Sequence, residues 1–541
     1  MNLLTDPWIP VRCASGRTRM IAPLGLLDDD APMELVAIRP DFNGALAQFL
    51  VGLMQWLAPD NERVWREVAE GARLPELEQW RELTGCFEFD KGERRFMQDS
   101  ALKTGGGDTD GGDLSGLLLE APGGNTIRNN ADLFVKRTDG FALSLPLAAQ
   151  ALLTLQINAP AGGQGNRTSI RGGGPVSMML WPGRLGDQAV PLWRKLWLNT
   201  LVIEGDEPRP EIIFPWMTDC LTSENGRDVH SLLASKDPSS LELLLLCYFA
   251  TPRRIWLQFE ENCVCAFTGN RGPCATRYEA RNLGANYRSE LFRHPLSPYY
   301  RDKAGSFLPF HVRGVGFTYA DWVLVQEESD RSRKPLVLNT TRLGTAVRQQ
   351  LPQDSIWAFA FAMDNMKCLA WHEANFTQLR IEDDAQLNAV LNEVRLWLDA
   401  ADKVRQALGK QLRAAWGGGG SGETTVAERQ LYARTEADFY ALVNELAAAR
   451  SVCEEEAVAL CQGLRLRWQR KLASVALSLF MVHAECGDVA EKDIQAVKRA
   501  ALAHQGLLKV IHSDLSKTLG IGYGDAAGTR MYVASGKGSV A

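Results

Sequence analysis

The residues best suited to chemistry in this chain are backbone amides and guanidinium groups, not a catalytic constellation. Residues 158–175 read Asn-Ala-Pro-Ala-Gly-Gly-Gln-Gly-Asn-Arg-Thr-Ser-Ile-Arg-Gly-Gly-Gly-Pro. Glycines leave no side chain between backbone and ligand and permit positive φ. Arg167 and Arg171 bring charge beside that bare backbone, a combination suited to close approach to a sugar-phosphate groove. On residue types alone a flexible turn between two strands is the plainer reading and comes first.

A second segment, Met363-Asp-Asn-Met-Lys-Cys-Leu-Ala-Trp371, places an adjacent Met–Lys pair next to turn-favouring Asp and Asn. A protruding methionine can wedge against a base step while the ammonium group meets phosphate. A strand that simply turns at the surface fits the composition equally well. Basic residues interleave with aromatics at Arg277, Tyr278, Arg281, Tyr287, Arg288, Phe292 and Arg293. Further basic runs are Arg331-Ser-Arg333-Lys334 and Arg465, Arg467, Trp468, Arg470 and Lys471. Each alone reads as a solvated face; together they offer tracks for a nucleic-acid backbone.

Other chemistries lack their residues. There is no G-x-x-x-x-G-K-[ST] phosphate loop and no H-E-x-x-H helix, and the seven histidines are isolated. Asp108-Thr-Asp110-Gly-Gly-Asp113 resembles the start of a calcium loop, but Leu119 stands where the bidentate Glu belongs. Cys263, Cys265 and Cys274 lack C-x-x-C spacing and an obvious fourth ligand, so no metal and no cofactor are expected. The eleven cysteines are irregularly spaced and odd in number, unlike a disulfide framework. A net charge of −6 means that any DNA affinity needs locally concentrated cations or help from other subunits. The N-terminus lacks a signal peptide pattern, and the longest apolar run, Leu241–Ala250, is far too short to span a membrane; a cytoplasmic protein is expected.

These segments need a scaffold, and two textures are legible in the 541 residues. Up to residue 378, short strands, helices and Gly/Pro-rich loops alternate. Trp8–Val11 with Arg19–Ile21 reads as a hairpin. Leu46, Phe49, Leu50, Leu53, Met54 and Leu57 recur at helical spacing, ended by Pro59. Val176–Trp181, Ile255–Phe259 and Trp322–Val325 read as strands. From residue 379 to 519 the pattern is helical, starting with Leu387, Val390, Leu391, Val394, Leu398, Val404, Leu408 and Leu412. The fold class expected is α+β: a mixed α/β domain with irregular loops over 1–378, then a C-terminal four-helix bundle. Residues 520–541 read as a disordered tail.

Several landmarks together resemble the CasA family, the large subunits of type I-E CRISPR surveillance complexes (Cascade). They are Met1-Asn-Leu-Leu-Thr-Asp-Pro-Trp8-Ile9-Pro10-Val11, Arg95-Phe-Met-Gln98, Ala159-Pro160 with its glycine run, Arg171-Gly-Gly-Gly-Pro175, His294-Pro-Leu-Ser-Pro298, Asp364-Asn-Met-Lys367 and Glu423-Thr424…Ala427-Glu-Arg429. They stand in the family's order over roughly residues 1–515. The resemblance implies a non-catalytic subunit that recognises the protospacer-adjacent motif in duplex DNA, helps open the duplex for guide RNA pairing, and forms the platform for a recruited helicase-nuclease. Sequence matching is left to the guide, as in RNA-guided systems generally. Implied partners are double-stranded target DNA, guide RNA and other Cascade subunits.

Carried over, the family's glycine loop falls on Ala161, Gly162, Gly163, Gln164 and Gly165, and its DNA wedge on Asn365, Met366 and Lys367. Lys367 departs from the glutamine of the best-known members. Arg281 stands near a family lysine that reads the minor groove; Arg167 and Arg171 are further candidate DNA contacts. Asn125, Arg128 and Asn129 are candidate contacts to a neighbouring subunit or the guide. Some members hold zinc through two cysteine pairs, one in the family's first loop, which falls on about Ala121–Gly140; this chain has no cysteine between Cys86 and Cys220, so the site is expected to be lost. A stand-alone metal-dependent nuclease and a purely structural scaffold are the competing readings.

Overall fold

The computed structural model describes residues 1–521 apart from 104–110, 123, 131, 133–139, 163–164, 206, 234–235, 288–291, 365–366, 380, 382, 419–420, 450–453 and 486–493. The expected tail therefore lies outside the described residues except for its first two. Two compact units form: Met1–Gly314 with Glu327–Gln378, and Val315–Gln326 with the chain from Leu379 onward.

In the first unit, β1 (Ile9–Cys13) pairs antiparallel with β2 (Thr18–Ile21) and β3 (Pro32–Leu35). Helix α1 (Pro40–Trp56) starts on a proline at its first turn, where the missing N–H costs nothing. It is apolar on nearly every side and buried almost throughout, as a helix without a polar face must be. Phe49 of α1 meets Trp8, Phe87, Phe96 and Phe249 edge to face at 5.4–6.2 Å, the centre of an aromatic core. Helix α2 (Leu145–Asn158) packs against α1.

A three-stranded sheet supports the Met363–Trp371 segment. β4 (Ser177–Leu180) pairs with β7 (Ile356–Asp364), which pairs with β8 (Lys367–Phe376), giving the order β8-β7-β4. Helix α3 (Ser240–Phe249) begins with a capping box between Ser239 and Glu242 and lies on α1. Between α3 and β7, the long strands β5 (Arg254–Val264) and β6 (Arg271–Arg281) form an antiparallel hairpin.

The second unit is built on four long helices, α4 (Asp384–Ala415), α5 (Ser421–Ala448), α6 (Glu454–Phe480) and α7 (Ile494–Lys509). Trp322–Val325, expected as a strand, lies instead in a 3₁₀ helix, Tyr319–Val325. Thr318 and Asp321 cap that helix reciprocally, and Tyr319 stacks on Phe439 at 4.5 Å while its hydroxyl meets Thr435. A short apolar run suits strand or helix alike, and here the cap decides. This segment thus belongs to the helical unit despite its place in the sequence.

Candidate nucleic-acid interface

The glycine loop leaves the C-terminus of α2. Ala159 departs from helical backbone (φ −45°, ψ 115°) and Pro160 prevents any return to it. The chain then comes back to its own starting point: Ser169 N–H donates to the Ala159 carbonyl at 3.0 Å and Gly174 N–H to the Asn158 carbonyl at 3.1 Å. Within the loop the Asn166 amide donates to the Gly162 carbonyl. Gly165 sits at φ +84°, and its carbonyl accepts from Leu283 N–H at 2.8 Å. Ala161 is exposed and Gly162 and Gly165 half-exposed, while Gly163 and Gln164 lie outside the described residues.

Of the expected wedge, only Lys367 lies within the described residues, at the start of β8. Asp364 faces Lys367 as the last pair of β7 and β8, while Asn365 and Met366 lie outside the described residues. Lys367 is exposed. Further down, Trp371 packs on Phe359 and Phe361 at 5.5 and 4.8 Å, which anchors the hairpin in the core.

The glycine run 172–174 joins these two elements. A Cβ on Gly173 would stand 2.9 Å from the Pro160 Cα at the root of the loop. One on Gly174 would stand 2.5 Å from the Phe361 carbonyl oxygen and 2.9 Å from the Met363 side chain, close to the hairpin's end. Loop root and hairpin are thus packed through two consecutive glycines.

The arginines divide. Arg171, expected at the DNA, is only 2% exposed. It donates to Ser177 and Ser297 at 2.8 and 2.9 Å and to the Gln48 side chain, all neutral oxygens, and burial pulls its guanidinium down to about 10. Its terminal nitrogens are spent inside the fold, so it is a structural residue here and the expectation is corrected. Arg167 remains half-buried, with Nε donating to Ser223 Oγ at 2.7 Å. Arg281 ends β6, half-buried, opposite Arg254 in register. Arg128 and Asn129 are exposed at and just beyond the end of the short helix Gly124–Arg128, which also contains Asn125.

Residue patterns missed Arg253. Its guanidinium donates to the Pro160 carbonyl and bolts the loop's root to the start of β5, while burial lowers it to about 10. The Arg253-Arg254 doublet was the available signal, but its second member pairs inward with Asp99 at 2.6 Å. The other basic runs are partly absorbed by ion pairs: Arg293 with Glu328, Arg465 with Glu393, Arg467 with Glu445 and Lys471 with Asp438. Tyr287 and Phe292 are core residues, not stacking platforms.

The hairpin of β5 and β6 carries the three clustered cysteines. Burial raises the Cys265 thiol, but hydrogen bonds from the Thr268 hydroxyl and from the backbone of Ser144, Thr268 and Phe267 outweigh it and bring it to about 7. Burial pushes Cys274 up to about 11. Among the described residues no three His, Cys, Asp or Glu side chains are grouped to hold a metal ion. Nor, among them, is any helix long and apolar enough to cross a membrane.

A family model described as CRISPR-associated protein Cse1 matches residues 2–479. The fold is similar to that of Thermobifida fusca Cse1, with a TM-score of 0.63 at 16% identity over 96% of this chain and 98% of that one. CasA of Thermus thermophilus gives 0.62 at 15% identity, covering 94% and 99%. A chain of a CRISPR RNA-guided surveillance complex gives 0.63 at 17%, also covering 94% and 99%. No curated protein sequence matches.

Proposed function

Because the chain belongs to the CRISPR-associated Cse1 family, the CasA subunits of type I-E Cascade, we propose that it is the subunit of an RNA-guided surveillance complex that reads the motif flanking the target. In this reading it works in the cytoplasm without catalysing a reaction. The glycine loop, Ala161–Gly165, lays bare backbone along the minor groove, whose degenerate donor and acceptor pattern tolerates related motifs. The hairpin tip, Asn365–Lys367, enters the adjacent base step and helps open the duplex for guide pairing, with the Lys367 ammonium on phosphate. Arg167 and Arg281 add charge beside the loop. Asn125, Arg128 and Asn129 face a neighbouring subunit or the guide, and the assembled complex receives the helicase-nuclease.

The observation that supports this most is the contact of Gly173 with Pro160 and of Gly174 with Phe361, which ties loop and hairpin into one packed block. Two elements gripping one stretch of DNA need such a fixed spacing, since a displacement of even an ångström forfeits oriented contacts.

The test is binding of motif-bearing duplex by the reconstituted complex carrying Lys367→Ala or Gly163→Asp. Weaker binding with intact assembly is expected from both. Unchanged affinity in both would favour a scaffold that never touches DNA. Cleavage of duplex by the isolated chain with magnesium or manganese would instead make it a nuclease.

A further inference from the structure

Beyond β6 the chain passes Asn282 and Leu283, and Leu283 adopts φ +61°. Left-handed backbone is costly for any residue with a Cβ, and a leucine there is an outlier. Packing in a core does not account for it, because Leu283 is 36% exposed. The conformation is held from both sides: its N–H donates to the Gly165 carbonyl at 2.8 Å and its carbonyl accepts from Ser223 N–H at 3.0 Å. Ser223 also accepts from Arg167, so Gly165, Leu283, Ser223 and Arg167 form one linked group at the glycine loop. Leu283 Cδ2 would lie 3.3 Å from a Cβ on Gly165, so leucine side chain and bare backbone are immediate neighbours. A strained, exposed apolar residue held by its surroundings beside a binding loop marks a functional position.

We propose that Leu283 is a specificity-determining contact that selects against a G·C pair at the step it covers in the minor groove. The inference rests on the DNA-reading role of the glycine loop. In the minor groove guanine presents its N2 amino donor where adenine presents only C–H, and the other exposed groups are acceptors. Leucine has nothing to accept that donor's hydrogen bond, so covering it strips water from the amino group without replacement. Against an A·T pair the same side chain meets an apolar edge.

The experiment is selection from a duplex library randomised at the flanking motif, using complexes carrying wild-type chain, Leu283→Asn or Leu283→Gly. Asn and Gly both tolerate left-handed backbone, so both variants are expected to fold with undiminished melting temperature. Wild type should disfavour G·C at one position. Leu283→Asn, whose amide oxygen accepts from guanine, should recover G·C there by about tenfold, with Leu283→Gly in between. Unchanged selection in both, while Lys367→Ala and Gly163→Asp still weaken binding, overturns the leucine contact alone. Unchanged binding in all four variants overturns the parent reading with it. A loss equal for every motif also overturns the proposal, since it would mark Leu283 as a support for the loop.

Discussion

Within thirteen residues, Gly162 to Gly174, the chain uses glycine in two opposite ways. Gly162 and Gly165 are half-exposed and touch turn residues, Asn166 on one side and Asn282 and Leu283 on the other. Gly172, Gly173 and Gly174 are pressed against His311, Pro160 and Phe361, where any side chain would overlap a neighbour. A Cβ on either of the first pair would meet turn side chains at 2.9 and 3.0 Å, whereas Gly173 and Gly174 let two pieces of the protein's own backbone approach each other. Arginine divides the same way, with Arg167 at the open half and Arg171 interior. A bare backbone therefore identifies a ligand surface only once the fold shows what lies against it.

The sharpest way to break that contrast is Gly174→Ala. The new Cβ would require φ +61° from an alanine and would press on a strand carbonyl. Backbone strain plus displacement of β7 predicts a loss of about 4 kcal/mol, large enough to read as a steep fall in melting temperature. An alanine tolerated here would mean that loop root and hairpin are not packed together.

Next in size is Arg171→Met, which removes three charge-assisted hydrogen bonds from Ser177, Ser297 and Gln48. Ser177 Oγ still donates to Gln48 at 3.3 Å and Ser297 Oγ to the Val176 carbonyl at 2.7 Å, but losing three guanidinium donors in the interior predicts about 2–3 kcal/mol of lost stability in chemical denaturation. The salt dependence of DNA binding should not change, because the guanidinium never reaches phosphate. A flattened salt slope in a stably folded Arg171→Met chain would return this residue to the DNA.

These contrasts show what residue patterns carry and what they do not. The long bundle helices and the strands at Val176 and Ile255 follow from local periodicity, which one stretch of sequence contains in full. The burial of Arg171 does not, because two of its partners, Gln48 and Ser297, are more than a hundred residues away. Landmarks such as Arg95–Gln98 and His294–Pro298 prove to be core-building. Gln98 bridges Phe89 and Leu257, and buried His294 donates its backbone N–H to the Tyr299 hydroxyl at 2.8 Å. Their resemblance to a family therefore reports a shared scaffold more directly than shared DNA contacts. The 3₁₀ helix at Tyr319–Val325 does not follow from its apolar run, because the Thr318…Asp321 cap and the stacking on Phe439 decide it. The sequence shows Arg253 only as half of a basic doublet, since its acceptor is a backbone carbonyl brought near by folding.

Lys367→Ala tests the open side of the comparison at smaller cost. An exposed lysine has no packing to lose, so stability should stay within about 0.5 kcal/mol. Removing one phosphate contact should lower the logarithmic salt slope by about 0.9 and weaken binding a few-fold for all motifs alike. A slope identical to wild type would place this ammonium group off the DNA backbone.

The finest discrimination comes from Asn166→Ala. The Asn166 amide spans the loop to the Gly162 carbonyl, a bond within a half-exposed turn, so its removal predicts only about 0.5–1.5 kcal/mol of stability. If the bond pre-organises the loop, ordering must then be completed on binding, and affinity should fall about threefold with the motif ranking preserved. A changed ranking would mean that Asn166 contacts a base itself. Unchanged affinity would mean that the loop takes its shape from its other bonds, such as that of Gly165 with Leu283, and that the half-exposed glycines do not depend on Asn166.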